Sequence, residues 1–260
     1  MPGEIVREDL GGGIVRLTID HEARRNALNN AMWDQLGALM RDLDAEESLR
    51  CVILTGKGDT AFSAGADISE FEENRSTVEK ARAYGARNHA TLSALRDCRH
   101  PTIAAINGLC VGGGLEIACC TDLRIAVHKA RFGIPAKKLG LVVAYEEMRG
   151  LVELVGRSNT LRILLEGDIF DSEEALRMGL VNRVVADGTL DEAVMKSAGL
   201  IAEGAPLVAR WHKKFATRLM DPRPLTPAET EENFTCFSTK DFAEGYRAFL
   251  EKRKPEFSGQ

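Results

Sequence analysis

"CVILTGKGDTAFSAGADISEF", residues 51–71, passes from an apolar run through a glycine-bearing loop into small residues and then acidic ones. CVILTG (51–56) is short, apolar and closed by glycine, the pattern of a strand buried on both faces. AFSAGADISEF (61–71) reads as a strand edge entering a helix. Yet Ser63, Ala64, Gly65 and Ala66 bury little apolar area and leave the backbone uncovered. Asp67 with Glu70 three residues later fits a capping box, so a helix is expected to begin there. The orphan N–H groups of its first turn, and that of Ala66, would point out of the loop with no bulky side chain in the way. The backbone itself is therefore a candidate functional group.

The segment TIAAINGLCVGGGLEIACC (102–120) repeats this logic. A buried strand ends at Asn107-Gly108, and Gly112-Gly113-Gly114 opens a helix where glycine permits close backbone approach. Two N–H groups converging from two such loops would make an oxyanion hole. The plainer alternative is that these glycines are only spacers for tight strand–helix packing. AFSAG lacks the first glycine of a GxSxG elbow, GGGLEIA lacks GxGxxG spacing, and no GxxxxGK[ST] phosphate loop is present.

Around these loops, GGGIVRLTID (11–20) alternates about Ile14, Val15, Leu17 and Ile19 and reads as a strand after a hairpin turn. Met32, Leu36, Leu39, Met40 and Leu43 then recur on one helical face. A polar helix is expected over 77–96, and DLRIAV (122–127) is another strand. Alternation of strands and helices implies parallel pairing and an α/β architecture. After about residue 190 only helical patterns remain, so the expected division is an α/β core over 1–195 and a helical region over 196–260. DPRPLTPAE (221–229) is the one linker-like stretch, and no short-period repeat stands out.

Composition narrows the function. Of 260 residues, 44% are hydrophobic and 28% charged, and the net charge is -5. That argues against a nucleic-acid partner or a membrane-surface patch. The start, MPGEIVREDLGGGIVRLTID, lacks the basic-then-apolar plan of a signal peptide, and no stretch reads as a membrane span. The five histidines are scattered, with none spaced for a metal. Six cysteines without CxxC spacing read as reduced, buried thiols of a cytoplasmic protein, although the adjacent Cys119 and Cys120 leave a redox role open.

Glu116 stands between Leu115 and Ile117 in GLEIACC. Burial would raise its pKa toward neutrality, as a general acid or base working near pH 7 requires. The competing reading is a solvent-facing or salt-bridged side chain, with Arg124 as partner.

At this point several segments taken in order, RRNALNNAM, AFSAGADI, INGLCVGGGLEIACCTDLRIA, FGIPAKKLGL, SEEALRMGLVNRVV and FAEGYRAFLEKRKPEF, resemble the enoyl-CoA hydratase/isomerase (crotonase) superfamily over nearly the whole chain. The resemblance implies a spiral of ββα units with a helical C-terminal trimerisation region. It implies a thioester-binding oxyanion hole at the N–H groups of Ala66 and Gly113, and Glu116 in the place of the first of two hydratase glutamates. It implies coenzyme A contacts from Arg25, Ala27 and Leu28 within Arg24–Leu28, and from Ala64, Asp67 and Ile68 along the same groove, with Ser69 where many members carry lysine. Coenzyme A enters as part of the substrate thioester; no further cofactor is expected, and assembly is expected as a homotrimer or dimer of trimers.

The chain also departs from the pattern. Ala136 follows Pro135, where hydratases carry their second glutamate, and GLVVAYEE (140–147) replaces a Pro- and Gly-rich run. Tyr145, Glu146 and Glu147 occupy a segment that lines the pocket in relatives. Glu146 is kept as a candidate replacement for the missing group, whereas Glu147 reads better as part of an exposed first helical turn, where the dipole favours acidic residues. The activity expected is syn hydration of a 2-enoyl-CoA. Double-bond isomerisation, decarboxylation and a catalytically weak acyl-CoA-binding protein are the alternatives.

Overall fold

The computed structural model describes residues 3–260. Residues 1 and 2, where the expected core and the stretch read for a signal peptide begin, lie outside the described residues. The strands are β1 (Glu4–Asp9), β2 (Ile14–Asp20), β3 (Cys51–Gly56), β4 (Ala61–Ser63), β5 (Thr102–Ile106), β6 (Leu109–Val111), β7 (Leu123–Val127), β8 (Arg131–Gly133), β9 (Phe170–Asp171) and β10 (Arg183–Val185). The helices are α1 (Asn30–Ala45), α2 (Phe71–Arg75), α3 (Val78–Asp97), α4 (Gly113–Cys119), α5 (Tyr145–Glu166), α6 (Ser172–Arg177), α7 (Leu190–Ala202), α8 (Pro206–Leu219), α9 (Pro227–Glu231) and α10 (Lys240–Glu251).

Two sheets form. The larger has the order β1-β2-β3-β5-β7-β10 and the smaller β4-β6-β8-β9. All pairings are parallel except β1 with β2 and β8 with β9. Consecutive strands hand over from one sheet to the other: β3 to β4, β5 to β6, β7 to β8. A helix follows each handover, which is the repeated ββα spiral implied by the resemblance. The repeat lives in the topology; strands of two or three residues are too short to leave a periodic signal, so Leu109–Val111 reads from sequence as loop.

Side-chain alternation explains why the larger sheet is buried on both faces. Leu17, Val52, Leu54, Ala104 and Ile106 face the main core, where α1 contributes Met32, Trp33, Leu36 and Met40. Ile14, Ile53, Ile103 and Ile125 face the other way, onto Val194 and Ala198 of α7. The boundary expected at 195/196 therefore falls inside a helix that packs on the sheet. Beyond it, the 3-10 segment Glu232–Ser238 carries the exposed rings Phe234 and Phe237, and α10 carries Phe242, Tyr246 and Phe249.

The capping box expected at Asp67 does not form. Asp67 accepts from the N–H of Ser69 at 3.0 Å, the chain makes a 3-10 turn over Ile68–Glu70, and α2 starts only at Phe71. Glu70 turns away to accept from the N–H of Asn30 at 3.0 Å, so it caps α1 instead of its own segment. A helix start nearby in space outcompetes the local partner, which no sequence window contains.

Five cysteines are buried and all six are unpaired. Burial pushes the Cys119 and Cys120 thiols up to about 12, which leaves both protonated and unreactive near neutral pH. Among the described residues no helix is long and apolar enough to cross a membrane, and no cluster of His, Cys, Asp or Glu is arranged for a metal.

Candidate active site

The site is built from two loops pressed together. Gly65, at φ 92°, sits where an added Cβ would meet the Gly113 nitrogen and the Val111 carbonyl, each at 2.9 Å. Gly114 likewise has no room for a side chain, with the Ser63 carbonyl 2.5 Å from where its Cβ would stand. Glycine at these positions lets backbone meet backbone.

The loop carrying Ala66 is braced from behind by residues 25–28. Leu28 donates to the Gly65 carbonyl at 2.7 Å, and Asp67 donates to the Leu28 carbonyl at 2.9 Å. This parallel bridge fastens the neighbours of Ala66 and leaves its own N–H without a protein acceptor among the described residues. Ala64 donates to the Arg25 carbonyl at 2.9 Å. Asn26, 1% exposed, lies at φ 57° with its amide donating to the carbonyls of Lys57 and Ala61. Its role went unread in the sequence; the only signal was an asparagine, a residue that tolerates this left-handed backbone, beside the small-residue loop's partner strand.

Across the gap, Gly112 donates to the Gly133 carbonyl at 3.0 Å, and α4 begins at Gly113, whose N–H is likewise free of any protein acceptor. The point a Cβ would occupy on Gly113 is 3.6 Å from the Ala66 nitrogen. Two unpaired donors from two different loops thus lie close together on one pocket wall, the kind of donor pair that an oxyanion requires.

Glu116 lies one turn further along α4, so its side chain shares the face of the Gly113 N–H. Leu115, Ile117 and Ala118 beside it are buried in the core. Burial first, then the negative charge of Glu147, raises the Glu116 carboxyl from 4.5 to about 8, and Arg75 opposes the shift. The salt bridge considered with Arg124 is absent: that guanidinium donates to the carbonyls of Thr121, Asp122 and Leu180. Glu116 has no ion-pair partner among the described residues.

Of the residues singled out in the sequence, Ala64, Ala66, Ile68, Gly113, Glu116 and Ala136 line one pocket together with Trp33, Arg75, Asn88 and Glu147. Arg25 is exposed beside it, Asp67 partly so, and the side chains of Ala27 and Leu28 point into the protein. Glu146 does not line the pocket; it pairs with Arg149 at 3.1 Å and with Arg96 at 3.5 Å. Tyr145 is 92% exposed. The acidic side chain that faces Glu116 is Glu147, read from the sequence as an exposed turn. It accepts from the Ala144 N–H at 2.7 Å and lies 3.5 Å from His89 Nε2. Adjacent residues on a helix point about 100° apart, so the choice between them depends on how α5 is rotated in place.

A ββα spiral that brings two unpaired loop amides and a half-buried carboxyl into one pocket has the groups to polarise a carbonyl and move a proton beside it. The Enoyl-CoA hydratase/isomerase family model matches residues 9–260. A crotonyl-CoA hydratase of Syntrophomonas wolfei is 37% identical over 243 residues, 93% of each chain. A short-chain-enoyl-CoA hydratase of Clostridium acetobutylicum is 35% identical over 247 residues, 94% of each chain. The crystal structure of an enoyl-CoA hydratase/carnithine racemase from Magnetospirillum magneticum superposes with a TM-score of 0.95 at 45% identity, over 100% of this chain and 97% of that one. The chain belongs to the enoyl-CoA hydratase/isomerase family.

Proposed function

We propose that the protein hydrates a 2-enoyl-CoA thioester, with the amides of Ala66 and Gly113 holding the thioester oxygen. The observation that carries this reading is a pair of carboxyl groups, Glu116 and Glu147, lining the pocket beside two unpaired N–H donors. Burial and the charge of Glu147 hold Glu116 protonated near pH 7, because its carboxyl is raised to about 8. Glu147 accepts a proton from the attacking water as its oxygen bonds to Cβ. The π electrons move toward the thioester, whose oxyanion the two amides stabilise, and Glu116 delivers its proton to Cα. Glu147 stands in for the glutamate missing at Ala136, a place for which the sequence offers Glu146 as a candidate.

Isomerisation is the second reading, favoured by Ala136 itself: a single carboxyl at Glu116, ionised to take a proton from one carbon of the acyl chain and then protonated to return it at another, suffices as the shuttle. Arg25, Ala27, Leu28, Ala64, Asp67 and Ile68 would flank the coenzyme A portion, and no separate cofactor takes part. We assign the assembly as a trimer or dimer of trimers through α8–α10, because Phe234, Phe237 and Phe249 are 56%, 58% and 83% exposed in the single chain. Light scattering should give a trimer or hexamer mass; a stable monomer at micromolar concentration would overturn that assignment. We place the protein in the cytoplasm.

The direct test is mass spectrometry on a panel of enoyl-CoA thioesters. Products heavier by one water are expected. Products of unchanged mass with a moved double bond would select isomerisation, and absence of any product would refute both.

A further inference from the structure

Arg75 and Asn88 are polar groups in an acyl pocket that the reaction above does not use. Arg75, the last residue of α2, lines the pocket with Glu116. Its guanidinium carbon lies 4.3 Å from the ring centre of Phe71 and 4.1 Å from that of Tyr84. Both rings lie within cation–π reach and help to hold the fork in place. What remains for binding is its edge, and the edge is empty: Nε is buried without a hydrogen-bond partner. Arg75 makes no ion pair among the described residues. Glu147 does not need it, since it already accepts from the Ala144 N–H.

Asn88, 4% exposed, is on the pocket wall with its Oδ1 unpaired. Rotation about its terminal torsion presents the NH2 group at the same place. Buried polar groups without partners are costly, so a pocket lined by these two, and by Trp33 whose indole N–H is also unpaired, is shaped for a polar ligand. A planar guanidinium offering its edge matches a carboxylate. A hydrocarbon chain would bury both groups unsatisfied.

Resting on the hydratase reading for the position of the thioester, we propose that Arg75 and Asn88 form a subsite for a second carboxylate, so that the preferred substrate is the mono-CoA thioester of an unsaturated dicarboxylic acid. The oxyanion loops fix one end of the acyl chain and Arg75 the other. This makes Arg75 a specificity-determining residue that carries no proton itself.

The experiment compares chains of equal length. Glutaconyl-CoA, which ends in a carboxylate, and pentenoyl-CoA, which ends in a methyl, are supplied to the full-length protein for kcat/KM. Their saturated counterparts, glutaryl-CoA and pentanoyl-CoA, are titrated by calorimetry. The carboxylate-ended member is expected to be favoured by about 10- to 100-fold in both measurements, the range of a charge-assisted hydrogen bond. Arg75→Met should collapse that ratio, mainly through KM, and Arg75→Lys should restore part of it. Equal or tighter binding of pentanoyl-CoA by the unmodified protein overturns the proposal whether or not the variants fold. So does an Arg75→Met protein that loses activity on both thioesters in proportion. If neither enoyl thioester gains water but glutaryl-CoA still binds preferentially, the hydratase reading fails and the subsite stands.

Discussion

Replacing Glu116 by glutamine isolates the cost of the half-buried acid. The carboxyl moves from 4.5 to about 8 on folding. At about 1.4 kcal/mol per pKa unit, ionising it in the folded chain costs on the order of 4–5 kcal/mol. Because the folded value is raised, the stability from this group is complete below pH 4.5 and is lost as pH rises through about 8. Glutamine has the same shape and no such dependence. Wild type and Glu116→Gln should therefore unfold at similar temperatures near pH 5, whereas near pH 9 the variant should be more stable by a few kcal/mol, several degrees in melting temperature. Circular dichroism melts across that range read the difference directly, and the titrations of other groups cancel between the two proteins. Turnover should fall by roughly 10²- to 10⁴-fold, because the amide transfers no proton. Parallel stability curves would show that Glu116 is not held protonated. Full turnover in the variant would remove it from the mechanism.

Glu147→Gln should cost a similar roughly 10²- to 10⁴-fold in rate and shift the alkaline pH limb of kcat downward, since the charge that helps raise Glu116 is gone; Glu146→Gln should stay within a few-fold on the same assay. His100, 0% exposed, is held down from 6.5 to about 4 by burial, with the Arg210 and Arg99 charges assisting. It must charge when the chain unfolds in acid, so stability from this group should fall as pH drops through 6.5 toward 4. His100→Leu should flatten that limb, worth about 3 kcal/mol, in urea titrations.

Much of this site is written in local pattern. The glycine triplet ahead of Glu116 and the small residues ahead of Asp67 are visible because a backbone that must be reached excludes side chains, and exclusion leaves a compositional mark. The alternation of β2 and the face of α1 are legible for a similar reason: burial imposes a period. What stayed hidden depends on contacts between distant segments. Glu70 caps α1, and Asn26 ties the loops through the carbonyls of Lys57 and Ala61. Arg75 ends a helix too short to show a face, and Asn88 lies on the buried side of α3, a helix that reads as polar. The exchange of Glu146 for Glu147 depends on one rotation of α5.

The central claim is that Ala66 and Gly113 together hold the thioester oxygen over Glu116. The crystal structure of the protein with a saturated acyl-CoA tests it most directly. The account predicts that oxygen at roughly 3 Å from both nitrogens, with Cα and Cβ between the Glu116 and Glu147 carboxyls. A thioester oxygen bound to any other donor, with both amides left empty, would contradict it.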